Sequence, residues 1–362
     1  MALSIIPYTA EFEAAVERFN RRMSEGGAAA DFGIPAHAPI SGSAELVQAV
    51  PHLAVDEEQE VRGGVIMLEH PGWVNGKTET VLNLQSPLSE GIIDPKYAMT
   101  AVQLIRFAVK RTPFVYVVGM GGDQNPLPRL LKASSWTVRP IPFFFRMLNV
   151  GRCLRELRPL QSSPFRSAVA TLGAATGAGW VAGRILQRSS VSLADYTQQE
   201  TGQAGSDEDA LWNQFRERCS FAIVRTSATL DLYCPKQAGR YRVVRSGQTQ
   251  AWFSLLISAM RDHKYFGNLK VATLMDVVAS TPVDTAAAIA LAARHAASAG
   301  CELVVTNQIH KELQSAARAA GFLSYASNFL LATSKALTEA TNDETVFVTR
   351  QDGDGLVNLS DG

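Results

Sequence analysis

One pattern that occurs twice, strand, helix, strand, helix, strand, limits more than any other feature what this chain can fold into. The later copy reads most clearly. An apolar run over residues 271–278 is followed by Thr281, Pro282, Val283 and Asp284. Thr as N-cap, Pro at the first helical position and an acidic side chain in the first turn announce a helix. Ala286, Ile289, Ala290, Ala293 and Ala297 give that helix a small-residue face that packs closely on a sheet, and Gly300 ends it. A short buried strand is expected over 302–306. Asn307 caps a second helix with Leu313, Ala316, Ala317 and Ala320 inside, and Gly321-Phe322 precedes a last strand over 328–332. The earlier copy has an apolar run over 81–88, a helix opened by Asp94-Pro95 with Tyr97, Ala101, Leu104, Ile105 and Ala108 on one face, and a strand over 114–118. Asn125-Pro126 opens its second helix, with Leu127, Leu130 and Leu131 inside, ending at Ser135-Trp136 before a strand over 143–148. A repeat this long implies two similar domains of mixed α/β type.

The 362 residues, 46% hydrophobic and 19% charged, are enough for two ordinary cores. The expected division is a first domain over 1–150, a connecting helix and linker over 151–206, and a second domain over 207–362. Lys+Arg and Asp+Glu both total 34, so no overall field draws in nucleic acid or an anionic membrane. Cys153, Cys219, Cys234 and Cys301 stand far apart, without a CxxC pair, and read as reduced thiols. With a start that lacks the basic and apolar regions of a signal peptide, they point to the cytoplasm.

The first domain begins with a strand over 3–7 and a helix over 11–23 whose inner face is Phe12, Val16 and Phe19. A loop over 25–40, with Asp31 and His37, is long enough to lie over a substrate groove. A hairpin of 63–68 and 78–84, turning across Pro71-Gly72 and Asn75-Gly76, leads into the repeat. Between the domains, residues 168–183 are almost all small or apolar, with Gly173, Gly177, Gly179 and Gly183. The pair Gly177 and Gly179 lacks the Lys-Ser/Thr of a phosphate loop. Arg166 and Arg184 bracket a segment too short for a membrane span. A helix packed across the domains, or one lying on a membrane surface, fits better. Residues 189–206 read as linker. The second domain opens with a helix carrying Leu211, Trp212 and Phe215 and a hairpin about Ser246-Gly247, with Asp262, His263 and Lys264 in its exit loop. Asp352-Gly353-Asp354-Gly355 lies too near Gly362 to complete a calcium loop and reads as a turn.

Strand, helix, hairpin, strand, helix, strand, helix ending in Gly-Phe, strand resembles the GNAT acyltransferase superfamily, and Asn307 to Gly321-Phe322 is similar to that family's Asn to Gly-Phe segment. The resemblance covers both halves and implies two tandem GNAT-like domains of mixed α/β sheet. It implies acetyl-CoA or another acyl-CoA as the activated substrate, no metal, and a small-molecule or cell-envelope glycan acceptor bearing an amine or hydroxyl. In the family, backbone N–H groups between the fourth strand and the next helix hold the pyrophosphate. Carried over to the first half, this segment is Leu88, Ser89, Glu90, Gly91, Ile92 and Lys96, with Gly91 opening the loop and Lys96 supplying charge. In the second half Asp284 puts a carboxylate where phosphates would go, which makes that half the acceptor holder or a brace.

Direct transfer needs a base to deprotonate the acceptor and an acid to protonate the leaving thiolate. The family's frequent acid, a Tyr four residues before the Gly of Gly-Phe, is replaced by Ala317 here and by Leu131 in the first half. Glu90, at the expected splay between strands, is the candidate base. Asp276 is the second candidate catalytic residue, because a carboxylate in a core strand must be paired or have a raised pKa. Gly121, Gly122 and Asn125, in the run Gly119-Met120-Gly121-Gly122-Asp123-Gln124-Asn125, offer N–H groups for ligand contact at the carboxyl end of a strand. Asn307, His310, Ser327 and Asn328 are the candidate acceptor contacts, and His263 could also move protons. Two other readings stand beside transfer to a small acceptor. One is a non-catalytic tandem scaffold, favoured by the vacant Tyr position. The other is a peptidoglycan-bridge aminoacyl transferase, which lacks support because no coiled-coil insertion is visible.

Overall fold

The computed structural model of the chain describes residues 3–29, 32–37, 43–44, 46–158, 187–234 and 236–354. Its strands are β1 (Ser4–Pro7), β2 (Ser43–Ala44), β3 (Val47–Val55), β4 (Val61–Val74), β5 (Lys77–Ser89), β6 (Val115–Val118), β7 (Thr137–Pro140), β8 (Phe143–Met147), β9 (Tyr196–Glu200), β10 (Phe221–Ile223), β11 (Gly239–Arg245), β12 (Gln248–Ala259), β13 (Lys270–Ala279), β14 (Leu303–Asn307), β15 (Leu323–Tyr325), β16 (Leu330–Thr333) and β17 (Val346–Phe347). The helices are α1 (Glu13–Glu25), α2 (Thr100–Arg111), α3 (Pro126–Ala133), α4 (Val150–Glu156), α5 (Ser206–Phe215), α6 (Ser227–Tyr233), α7 (Pro282–Ser298), α8 (Lys311–Ala319), α9 (Lys335–Glu339) and α10 (Gln351–Asp354). Two compact units result. One takes Met1–Pro140 with Leu330–Thr341, the other Ile141–Phe329 with Asn342–Leu356.

In the first unit the sheet runs β1-β3-β4-β5-β6-β16-β7, with only β5 and β6 parallel. Strand alternation gives it two apolar faces. Val16, Phe19 and Met23 of α1 cover Leu53, Val55, Val61 and Leu88 on one face. Leu104, Ile105 and Ala108 of α2 and Leu131 of α3 cover Val65, Met67, Leu82, Leu84, Val115 and Val117 on the other. Each such side chain contributes ~1.5–3 kcal/mol when fully buried. The β4–β5 turn is Asn75-Gly76, where φ is 44° and 85°, the left-handed pair that a tight hairpin requires. Pro71-Gly72, expected in the turn, instead lies inside β4. Gly72 fits there because a Cβ would fall 2.6 Å from Val81 Cγ1.

The second unit repeats the plan. Its 7-stranded sheet runs β15-β8-β14-β13-β12-β11-β9, and β13–β14 is again the one parallel neighbour pair. Helix α7 buries Ala287, Ala288, Ala290, Leu291, Ala292 and Ala293, a surface that lets it sit close to β12 and β13. Beyond the sheet, β10 and β17 form a short parallel pair.

Several expectations need correcting. The strand over 143–148 was read as the last of the first copy and 328–332 as the last of the second, yet β8 pairs with β14 and β15 while β16 pairs with β6 and β7. Each half therefore supplies a strand to the other's sheet. Pro140 ends β7 and only Ile141 and Pro142 separate it from β8, and a proline lacks the N–H that a hairpin ladder between those strands would need. The supposed linker contains β9, which pairs with β11. The first-domain hairpin is a meander, because β3 precedes it. The glycine-rich segment 168–183 and Asp31 lie outside the described residues. Among the described residues no helix is long and apolar enough to cross a membrane.

Candidate active site

In the first unit β5 meets β6 at Leu82 opposite Val115 and Asn83 opposite Tyr116, and then the strands part. Residues 84–89 of β5 have no β6 partner, although they continue to pair with β4 on the other side. The register to β4 slips between Gly64 and Ile66, so that Ser86 and Pro87 together oppose Val65. This is a β-bulge, and it redirects the strand where the gap begins. Ser86 holds φ at 45°, uncommon for a residue with a Cβ, and its side chain is exposed. The parting thus leaves main-chain groups of a core strand without a neighbouring strand, which elsewhere in a sheet would be costly.

The loop that follows carries Leu88, Ser89, Glu90, Gly91, Ile92 and Lys96. Ser89 Oγ accepts from Gly91 N at 3.0 Å and donates to Tyr97 O at 3.0 Å. Gly91 leaves no room for a Cβ, which would sit 2.6 Å from Ala98 Cα. Glu90 is only 4% exposed. Its carboxylate accepts from Arg22 Nε at 2.9 Å and Nη2 at 3.2 Å, and from Arg62 Nη1 at 3.2 Å on both oxygens. Arg62 in turn reaches Asp56 at 2.7 Å and lies 4.5 Å over the Tyr97 ring, while Arg22 reaches Glu60 at 3.0 Å. Burial pushes the Asp56 carboxyl up, but Arg62 and the N–H groups of Glu60 and Glu58 outweigh it and hold it below the usual range. Both Glu90 oxygens are therefore engaged by guanidinium groups, a geometry that fixes the loop. Sequence reasoning did not single out Arg22, which carries no local signal for this contact.

Helix α2 starts at Thr100 after a 3-10 turn, Pro95–Tyr97. Its N-cap, Met99, offers no side-chain hydrogen bond, and its first turn has no acidic residue. Thr100 Oγ1 is buried without a hydrogen-bond partner, and Lys96, four residues earlier, is exposed. The other glycine loop is self-contained: Asn125 Nδ2 donates to Met120 O at 3.1 Å, Asn125 N donates to Gly122 O at 2.9 Å, and Gly121 adopts φ 73° beneath the Asn125 amide. Gly122 has open space around it.

The second unit has the same parting and closes it. Strand β13 meets β14 only over Val271, Ala272 and Thr273, and its register to β12 slips between Ser254 and Leu255. Thr306 Oγ1 donates to Leu274 O at 2.8 Å across the gap, and Gln308 Nε2 donates to Thr306 Oγ1 at 2.8 Å. The C-terminal segment then spans both strands. Thr349 bridges to Gln308, Ser254 Oγ donates to Gln351 Oε1 at 3.0 Å, and fully buried Arg225 joins Asp276 at 2.6 Å to Asp352 at 2.5 Å. Asp276 is thus one arm of an ion triad. Burial pushes its carboxyl up against the pull of Arg225. Asp352, read as a turn residue, is the other arm. At the start of α7, Asp284 is fully buried and accepts from Tyr196 Oη at 2.8 Å, Ser280 Oγ at 2.9 Å and Thr281 Oγ1 at 2.5 Å. Its carboxylate fills the anion position of that helix from within.

The acceptor candidates all fall in the second unit. Asn307 Nδ2 donates to Ile141 O at 3.1 Å and to Ser327 Oγ at 3.3 Å, so these two are brought together. His310 caps α8: Glu312 N donates to its Nδ1 at 3.3 Å and its Nε2 donates to Arg218 O at 3.1 Å. Burial holds its pKa below the usual value. Asn328 reaches only Tyr265 Oη, at 3.5 Å, and His263 Nδ1 accepts from two N–H groups in its own turn. Among the described residues no group of His, Cys, Asp and Glu could hold a metal ion.

One pair went unnoticed in the sequence. His70 Nε2 and Tyr116 Oη lie 2.9 Å apart, both buried, with Tyr116 on the last rung before β5 and β6 part and His70 on β4 opposite Val81. The polar pair Glu69-His70, closing the apolar run Val65 to Leu68 inside one strand, was the available signal.

No family model matches the sequence, and neither does any curated protein. Solved structures do match in fold. A conserved protein of unknown function from Enterococcus faecalis V583, described as a probable N-acyltransferase, aligns over 92% of this chain and 72% of its own at a TM-score of 0.53 and 9% identity. A GCN5-related N-acetyltransferase from Anabaena variabilis aligns over 91% and 72% at a TM-score of 0.52 and 9% identity. The chain has the GNAT fold, present in two tandem units of mixed sheet.

Proposed function

We propose that this chain is an acyl-CoA-dependent acyltransferase that moves an acyl group to an amine or hydroxyl of a small-molecule or cell-envelope glycan acceptor, with its reacting centre where β5 and β6 part. The observation that carries the reading is the contrast between the two units. In the first, residues 84–89 lack a β6 partner after the Ser86-Pro87 bulge. In the second, the same place is bridged by Thr306, Gln351 and the Arg225 triad. The helix starts differ in the same direction, since α2 has no side-chain cap whereas α7 is capped by Thr281 and carries Asp284. The α2 N–H groups and Lys96 would take the pyrophosphate.

The acceptor lone pair attacks the thioester carbonyl, whose developing oxyanion accepts from an unpaired β5 N–H. Collapse forms the new C–N or C–O bond and breaks C–S. The acceptor's proton passes to the Tyr116–His70 pair and a proton returns to the thiolate, so the pair is unchanged over the cycle. Glu90 positions the loop through Arg22 and Arg62 rather than taking a proton. A scaffold without turnover is the second reading, favoured by the engaged Glu90 and by Leu131 and Ala317 at the expected Tyr positions. Calorimetric titration with acetyl-CoA should give one site per chain, and thiol release with an amine panel should follow. An absence of binding, or two sites per chain, contradicts the assignment, and binding without thiol release selects the scaffold.

A further inference from the structure

A cavity of about 130 Å³ lies in the first unit against the unpaired part of β5. Ser86 and Leu88 form one side of it, Pro51, Leu53 and Ile66 are further walls, and Ile34 and Pro35 close it from the loop after α1. Ile34 is held in place there, because Asn20 Nδ2 donates to Ile34 O at 2.7 Å and Ile34 N donates to Asn20 Oδ1 at 2.9 Å. The space exists because residue 64 is glycine: a Cβ there would meet Ile34 Cδ1 at 2.9 Å and His52 O at 3.2 Å.

Two polar side chains of the wall have backbone partners. Tyr8 Oη donates to Pro35 O or Ala36 O, at 3.0 and 2.9 Å, and His52 Nδ1 lies 2.9 Å from Val50 O. None of the lining residues is Lys, Arg, Asp or Glu. A protonated amine acceptor would find no carboxylate there, and a carboxyl-bearing acyl group would find no cation. An apolar cavity of ~150 Å³ accommodates benzene, so this volume holds roughly four or five carbon atoms.

We infer that this cavity receives the hydrocarbon part of the acyl group, and that the chain selects uncharged acyl-CoA thioesters of about four to six carbons over acetyl, dicarboxylic and long-chain ones. The inference rests on the proposed acyltransferase reading. It goes further by assigning the acyl class from the wall beside Ser86, where the thioester carbonyl would lie. Each methylene buried is worth ~0.8 kcal/mol, about a fourfold gain in affinity, until the cavity is full.

The test is calorimetric titration of the full chain with CoA, acetyl-, butyryl-, hexanoyl-, succinyl- and palmitoyl-CoA. Butyryl- or hexanoyl-CoA should bind at least tenfold more tightly than acetyl-CoA, and succinyl-CoA should gain nothing over acetyl-CoA. Ile34→Ala, which enlarges the cavity, should move the optimum to a longer chain, and Gly64→Ala should weaken butyryl-CoA relative to acetyl-CoA. Because each variant is compared with itself across thioesters, a general loss of stability does not produce this pattern. Acetyl- and butyryl-CoA bound equally well, or an optimum unmoved in Ile34→Ala, overturns the pocket while leaving the acyltransferase reading intact. Failure of every CoA species to bind overturns both.

Discussion

Replacing Arg225 by Met should unfold the second unit far more easily, and more so at high pH than at low. Arg225 has no exposure and lies 2.6 Å from Asp276 and 2.5 Å from Asp352, with a further bond from Nη1 to Ile223 O at 3.2 Å. Met fills much of the volume but leaves two buried carboxylates facing each other without a counter-charge. Breaking a buried ion pair in this way costs ~3–5 kcal/mol, against a total stability of ~5–15 kcal/mol. With a urea slope of about 2 kcal/mol/M, the midpoint falls by ~1.5–2.5 M. The assay is urea unfolding followed by tryptophan fluorescence, since Trp212 and Trp252 of the same unit are fully buried. The pH sign follows from burial, which already pushes the Asp276 carboxyl up. Without Arg225 its folded pKa lies well above the unfolded value of ~3.9, so the native state holds the extra proton and stability declines as pH rises through that folded value. The variant should lose less at pH 5 than at pH 8. The triple replacement Arg225→Met, Asp276→Leu, Asp352→Leu should recover most of the loss, because no charge remains to be desolvated. A loss below about 1 kcal/mol in Arg225→Met, or an equal loss at both pH values, refutes the triad as the seal of this unit.

Three further outcomes follow from the same geometry. A fragment ending at residue 150 lacks β16, so β6 and β7 lose the strand between them; it should show no cooperative thermal transition by circular dichroism, and a cooperative one would mean that the exchanged strand is dispensable. Gly91→Ala should lower stability by ~1–3 kcal/mol, read from the urea midpoint, because the Cβ collides with backbone at Ala98 and no rotamer relieves it. His310 is held below its usual pKa by burial; its contribution is complete above the unfolded value of ~6.5 and is lost as pH falls from there through the folded value. His310→Asn should flatten the melting temperature between pH 7 and 5, and an unchanged slope would exclude His310 as its source.

The repeat was legible because helices announce themselves locally. Thr281, Pro282 and Asp284 marked the start of α7, and Leu104, Ile105 and Ala108 marked the inner face of α2. Strand partners are not local. Phe143 to Met147 alternates and packs as any strand would, and nothing in its side chains says whether the strand beside it comes from the same half, so the exchange of β8 and β16 was invisible. The site shows the same divide. Asp276 stood out as a carboxylate in a core strand that needed a partner, but Arg225 and Asp352 lie far from it in sequence. Glu90 was rightly placed at the end of the parting strand, whereas its burial between Arg22 and Arg62 depends on how α1 crosses β4.

The proposed site requires that the first unit, and not the second, admits the thioester. Hydrogen–deuterium exchange of the full chain with and without acetyl-CoA addresses this directly. Binding should slow exchange over residues 84–94 and at the start of α2 while leaving 274–284 unchanged. Protection confined to 274–284, or shared equally by both stretches, contradicts it.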